Sequence, residues 1–152
     1  MRLLIIFLAT GAFTGYAPVA PGTFGSVLGL MLCKWVFAPV WRRSPAAFAA
    51  MFAVAFVPAC AVAGRAETLF KEHDSSRIVL DEVFGITATM FLNPAGWAWM
   101  VGGFALFRAF DIIKPWPASA FDRIRNGAGV MLDDLAAGIY ANLVLQFIRL
   151  IV

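Results

Sequence analysis

"SPAAFAAMFAVAFVPACAVAG", residues 44–64, runs for 21 residues without a charged side chain. About 20 apolar residues in a helix cross the hydrocarbon core of a bilayer, so the run reads as a membrane helix. The rest of the chain agrees with it. Of 152 residues, 62% are hydrophobic and 14% charged, with a mean hydropathy of +0.84. Soluble domains are about half apolar and about a quarter charged, so the composition excludes an ordinary water-soluble domain. The length suits a single domain over 1–152. A formal charge of +3 is compatible with an anionic leaflet, and no nucleic-acid partner is expected.

Outward from this run lie three more charge-free stretches: 3–33 (31 residues), 83–107 (25) and 135–148 (14). The first is interrupted by "GYAPVAPGTFGS" (15–26), whose prolines and glycines would leave backbone groups unpaired in lipid. The second contains the turn signal Asn93-Pro94-Ala95-Gly96. The third crosses only if Arg149 snorkels. Arg2 and "LLIIFLATGAFTG" have the outline of a signal peptide, but the segment leads straight into a patterned loop and is expected to be retained. Cys33 and Cys60, each isolated in an apolar run, read as small buried hydrophobes.

No stretch alternates with period two, so the expected fold class is all-α, with little or no β-sheet. Helices are expected over 3–14, 25–40, 45–73, 78–92, 96–113, 118–126 and 130–151, with a kink at Pro58. Polar residues form three islands, at 16–26, 65–82 and 108–134. If all three meet on one side of the membrane, 27–41 and 44–64 make a hairpin with Arg42 and Arg43 at its tip. The segments 83–92 and 97–107 are too short for full spans. They make a shallow hairpin turning at Asn93-Pro94, or belong to a compact helical bundle whose apolar hairpins are embedded in or partly sunk into the membrane.

Asp81-Glu82 opens an apolar helix, where carboxylates either favour the first turn or supply hard oxygen ligands for Mg²⁺. Arg108, Asp111 and Lys114, spaced three and three, share a helical stripe that Pro115 ends. It is either a solvated face or a site in which the cations hold phosphate oxygens and Asp111 binds metal or activates water. Asp133-Asp134 follows "NGAGVML" and allows the same two readings as Asp81-Glu82, with "NGAG" a helix stop in the plainer one. Asp122 with Arg125 is a spacing typical of a surface pair. In "APGTFGS", Gly22, Thr23, Gly25 and Ser26 either cap a helix or let backbone N–H groups approach an anion. His73, between Glu72 and Asp74, reads as a surface residue. Taken together, carboxylates, cations and this loop point to Mg²⁺-assisted phosphate chemistry at a membrane surface.

"PVAPGTFGS", "IVLDEVFG" and "FRAFDIIKPWP…FDRI…GVMLDDLAAGIYA" resemble the phosphatidylglycerophosphatase A family from about Gly11 to the C-terminus. The resemblance implies a mainly helical Mg²⁺-dependent phosphomonoesterase. Its substrate would be phosphatidylglycerophosphate, at the bacterial inner membrane with the site facing the cytoplasm, on the way to cardiolipin. It implies catalytic roles for Asp81, Arg108, Asp111, Lys114 and Asp134, and phosphate binding by Gly22, Thr23, Gly25, Ser26 and Lys114. Metal ligands are expected among Asp81, Glu82, Asp111, Asp122, Asp133 and Asp134. Two positions depart from the pattern: Asn126 stands where the family has glycine, and "HDSSRIVLDE" lacks a proline or histidine after its first aspartate. The competing reading is a small polytopic transporter or channel subunit whose boundary charges line a pathway.

Overall fold

The computed structural model describes residues 1–151. Its elements are α1 (Arg2–Ala9), a 3₁₀ turn (Thr14–Tyr16), α2 (Pro21–Leu32), a π-helical turn (Cys33–Phe37), α3 (Ala38–Arg43), α4 (Pro45–Phe70), α5 (Leu80–Met90), α6 (Trp97–Ile113), α7 (Ala118–Phe121) and α8 (Gly127–Ile151). No strand occurs among the described residues, as the absence of period-two alternation requires.

Three helical stretches are long and apolar enough to cross a membrane: Pro21–Arg43, Pro45–Phe70 and Gly127–Ile151. The first is continuous because the π turn ends at Phe37, two residues before Pro39. Proline cannot donate to the carbonyl four residues back, and the wider turn absorbs its ring. Arg42 and Arg43 are exposed at the tip between α3 and α4, where Ser44 caps α4 by accepting from the Ala47 N–H at 3.3 Å. The expected hairpin is therefore present. α4 continues through Pro58 without interruption.

Two boundaries move for identifiable reasons. α2 begins at Pro21 rather than residue 25, because proline at the first helical position is already set for helix and lacks only an N–H that would have no partner. "PGTFGS" is therefore the first turn and a half of a helix, not a loop. α8 begins at Gly127 rather than residue 130, because Asn126 Oδ1 accepts from the N–H groups of Ala128 (2.9 Å) and Gly129 (3.0 Å). "NGAG" starts the last helix instead of stopping the previous one, and asparagine in the family's glycine position serves as its cap. α7 shrinks to Ala118–Phe121, and α1 ends at Ala9 before a turn in which Gly11, Ala12 and Phe13 all have positive φ.

α5 is the hub. Its 11 residues, about 16 Å of helix, are too short to cross a bilayer, and α2, α4, α6 and α8 surround it. Small residues permit the close approach. A Cβ on Gly29 would overlap Ile86, and one on Gly138 would overlap the Gly85 carbonyl. On the far side, Gly127 of α8 meets Gly64 of α4 backbone to backbone. One core cluster centres on Trp41, Phe48, Ile86, Met90, Phe107 and Leu145, and a second on Ala59, Ala63, Ala66 and Met131.

α5 stops inside this bundle, so its last carbonyls need donors there. α8 supplies them from one stripe. Asn142 Nδ2 donates to Thr89 O (2.9 Å) and Phe91 O (2.7 Å), Gln146 Nε2 to Phe91 O (3.4 Å), and Arg149 Nη1 to Leu92 O (2.7 Å). Arg149 thus tethers the 91–96 turn.

Candidate active site

α2, α5 and α8 start at one end of the bundle, and α4 and α6 finish there, so the three polar islands converge at that end. Asp81 and Glu82 occupy the first turn of α5, and Asp133 and Asp134 lie two turns into α8. One carboxylate oxygen from each of Asp81, Glu82 and Asp134 lies within 4.8 Å of the others. Asp81 and Asp134 are buried, at 6% and 5% exposure. Glu82 Oε2 and Asp134 Oδ2 have no hydrogen-bond partner. Asp81 and Glu82 thus lie in the first turn of α5 and also within reach of one shared cation, so the two readings are compatible.

Three carboxylates this close and this dry oppose their own ionisation. Burial, followed by the Glu82 charge, pushes Asp81 well above the usual carboxylate range. Burial, with Asp134 and Asp111 adding to it, pushes Glu82 up to about 8. The orphaned oxygens and all-oxygen donor set fit a hard divalent cation, which Asp81, Glu82 and Asp134 would hold.

The other expected ligands have separate roles here. Asp133 Oδ2 accepts from Lys114 Nζ at 2.7 Å, and Asp122 makes a second ion pair with the same ammonium. Burial alone would lower Lys114's pKa, but these two hydrogen bonds raise it above its ordinary value. Asp111 Oδ2 pairs with Arg108 Nη1 at 2.8 Å. Lys114 leaves the expected stripe because α6 ends at Ile113. The residue preceding Pro115 is kept out of the helical region, and Lys114 takes φ 45°. Asp122 is exposed and faces Lys114 rather than Arg125.

The first turn of α2 approaches the cluster through Gly22. A Cβ there would overlap Glu82 Oε1 and lie 3.4 Å from Arg108 Nη1. Thr23 is half-buried beside it. Gly25 and Ser26 lie beneath the site instead. Gly25 packs on Val79, and the fully buried Ser26 donates its hydroxyl to Gly22 O at 2.9 Å.

Sequence reasoning missed the pair Glu67–His73, with Oε1 and Nδ1 2.5 Å apart, and the Asp74 N–H donated to the same oxygen at 3.0 Å. The clustering of "KEHD" marked His73 and Asp74 but not Glu67, which lies on α4. His73 is exposed, as expected. It borders both an open cleft of about 430 Å³ and a small recess that reaches Asp122 and Asp133.

The family model for phosphatidylglycerophosphatase A matches residues 7–149. The chain belongs to the phosphatidylglycerophosphatase A family. A protein of that name from Haemophilus influenzae is 36% identical over 147 residues, covering 95% of this chain and 88% of the relative. One from Escherichia coli is 33% identical over 146 residues, covering 93% and 81%. A Bacteroides thetaiotaomicron relative named "Putative phosphatidylinositol-3-phosphatase" is 32% identical over 158 residues, covering 98% and 96%. No solved structure matches the chain. Membership of the phosphatidylglycerophosphatase A family makes the protein an enzyme, a lipid phosphatase, and bears out the motif resemblance.

Proposed function

We propose that the protein hydrolyses the terminal phosphomonoester of phosphatidylglycerophosphate, with Mg²⁺ held by Asp81, Glu82 and Asp134. The observation that carries the reading is the meeting of these three buried carboxylates with Arg108 and the first turn of α2 at one end of membrane-type helices. Bound there, Mg²⁺ supplies positive charge to the phosphate and lowers the pKa of a water.

The remaining work belongs to the chain. Arg108, half-buried beside Gly22, offers a planar pair of donors to the non-bridging oxygens. Lys114 supplies a second cation, held in place by Asp122 and Asp133 until phosphate competes for it. Asp111, next to Arg108, orients the attacking water and accepts its proton. Gly22 leaves room for the headgroup, and Thr23 lies within the same turn. Water adds to phosphorus and the P–O bond to glycerol breaks. The glycerol oxygen takes up the proton that Asp111 accepted from the water, and inorganic phosphate is released. The acyl chains stay in the bilayer, and phosphatidylglycerol becomes available for cardiolipin synthesis.

Orientation in a bacterial inner membrane follows from the basic residues. Eight of the twelve Lys and Arg residues lie on elements of the site end, while Lys34, Arg42, Arg43 and Arg149 lie at the other. The positive-inside tendency then turns the site to the cytoplasm. All nine Asp and Glu side chains also belong to the site end, so no acidic pathway crosses the bundle and the transporter reading is not favoured.

The deciding experiment is phosphate release by purified protein in mixed micelles. Phosphatidylglycerophosphate, phosphatidic acid and phosphatidylinositol 3-phosphate are compared with and without Mg²⁺. Mg²⁺-dependent release preferring the first supports the reading. Full release in chelator removes the metal, and preference for the inositol lipid removes the substrate.

A further inference from the structure

We propose that the end of the bundle remote from the acidic site binds an anionic phospholipid of the opposite leaflet, through a headgroup that carries a hydroxyl. Trp41, Arg42, Asn93, Pro94, Gln146 and Arg149 line a cleft there of about 510 Å³. No Asp or Glu side chain is found at this end. Among the described residues, Arg42 has no carboxylate partner. Arg149 uses Nη1 on Leu92 O, which fixes the guanidinium at the cleft and leaves its other N–H groups for a ligand.

The second observation is Asn93. It is 2% exposed, its Nδ2 donates to Thr89 O at 2.9 Å, and its Oδ1 has no donor. A buried acceptor without a partner is costly, so an occupant gains by bringing a donor once Oδ1 turns toward the cleft that Asn93 lines. An ethanolamine ammonium would supply one but would sit against two guanidinium groups. A headgroup hydroxyl supplies one without charge, and the phosphodiester of the same lipid meets Arg42 and Arg149. The surroundings suit a lipid rather than a soluble anion. Lys34 Nζ lies 3.5 Å over the Trp97 ring, and Trp35 and Trp97 are exposed, the basic and aromatic pattern of a membrane interface.

The test is thermal unfolding in neutral detergent, titrated with phosphatidylglycerol, phosphatidylcholine or soluble glycerol 3-phosphate. Phosphatidylglycerol should raise the midpoint in the wild type and equally in Asp81→Asn with chelator. In Arg42→Gln its apparent affinity should fall about tenfold, the scale of one charge-assisted hydrogen bond. Arg42→Lys, which keeps the charge, should fall between the two and serves if the glutamine variant does not fold. Arg43→Gln, equally exposed but outside the cleft, should match the wild type. Four results would overturn the proposal: equal stabilisation by phosphatidylcholine or by glycerol 3-phosphate, no change in Arg42→Gln, an equal loss in Arg43→Gln, or disappearance of the effect in Asp81→Asn.

Discussion

Asp133 and Asp134 are adjacent on α8, yet Asp133 holds Lys114 Nζ at 2.7 Å while Asp134 joins Asp81 and Glu82 within 4.8 Å. Successive side chains on a helix diverge by about 100°, and that rotation separates the two roles. Asp134→Asn should therefore abolish phosphate release and any stabilisation by Mg²⁺. Asp133→Asn should keep Mg²⁺ stabilisation and lose only about ten- to a hundredfold in rate, the range seen when a supporting partner is removed. Parallel rate and melting measurements check both.

Removing metal should make the protein sensitive to rising pH. Glu82 sits at about 8 in the metal-free fold against about 4.3 when unfolded, and Asp81 is displaced in the same direction. Between those values the folded state binds more protons than the unfolded state, so stability falls as pH rises and levels off above about 8. In chelator the melting temperature should drop from about pH 5 to about pH 8, and Mg²⁺ should restore most at the upper end. A flat or rising profile in chelator contradicts this.

Gly22→Ala places a methyl group against Glu82 Oε1, while Gly138→Ala drives one into the Gly85 carbonyl. The first neighbour is a side chain and can move, so activity should fall with little change in melting. The second is packed backbone, and about 1–3 kcal/mol of stability should be lost. Activity and unfolding curves separate the two outcomes.

Asn142→Leu removes one of two side-chain donors to each of Thr89 O and Phe91 O, leaving Asn93 Nδ2 on the first and only the long 3.4 Å bond from Gln146 Nε2 on the second. A cost of about 1–3 kcal/mol is expected, with the Km of surviving protein unchanged because the acidic cluster lies about eight residues up the helix. A raised Km would place Asn142 in the substrate's path instead.

Much of the architecture was legible because charge marks where the chain leaves the apolar phase: the runs bounded by Lys34, Arg42, Arg65 and Arg108 set the hairpin and the meeting of the islands. The start of α2 lies earlier than expected because Gly22 and Gly25, which read as a capping or anion-binding loop, instead sit within the helix, where their missing side chains serve close packing on Glu82 and Val79. Which acids share the cluster depends on rotation about α8 and on the left-handed Lys114, and neither is visible in spacing alone. The Asn142–Gln146–Arg149 stripe was visible at helical spacing, but its meaning depends on α5 ending inside the bundle.

The close seam between α5 and α8 is also where the three acids crowd together, so the proposed catalytic centre coincides with a joint that like charges oppose. Neutralising one acid, as in Asp81→Asn, should leave a chelated protein that melts higher than its parent while doing no chemistry. Selection for turnover thus preserves a strained joint that selection for durability alone would relax.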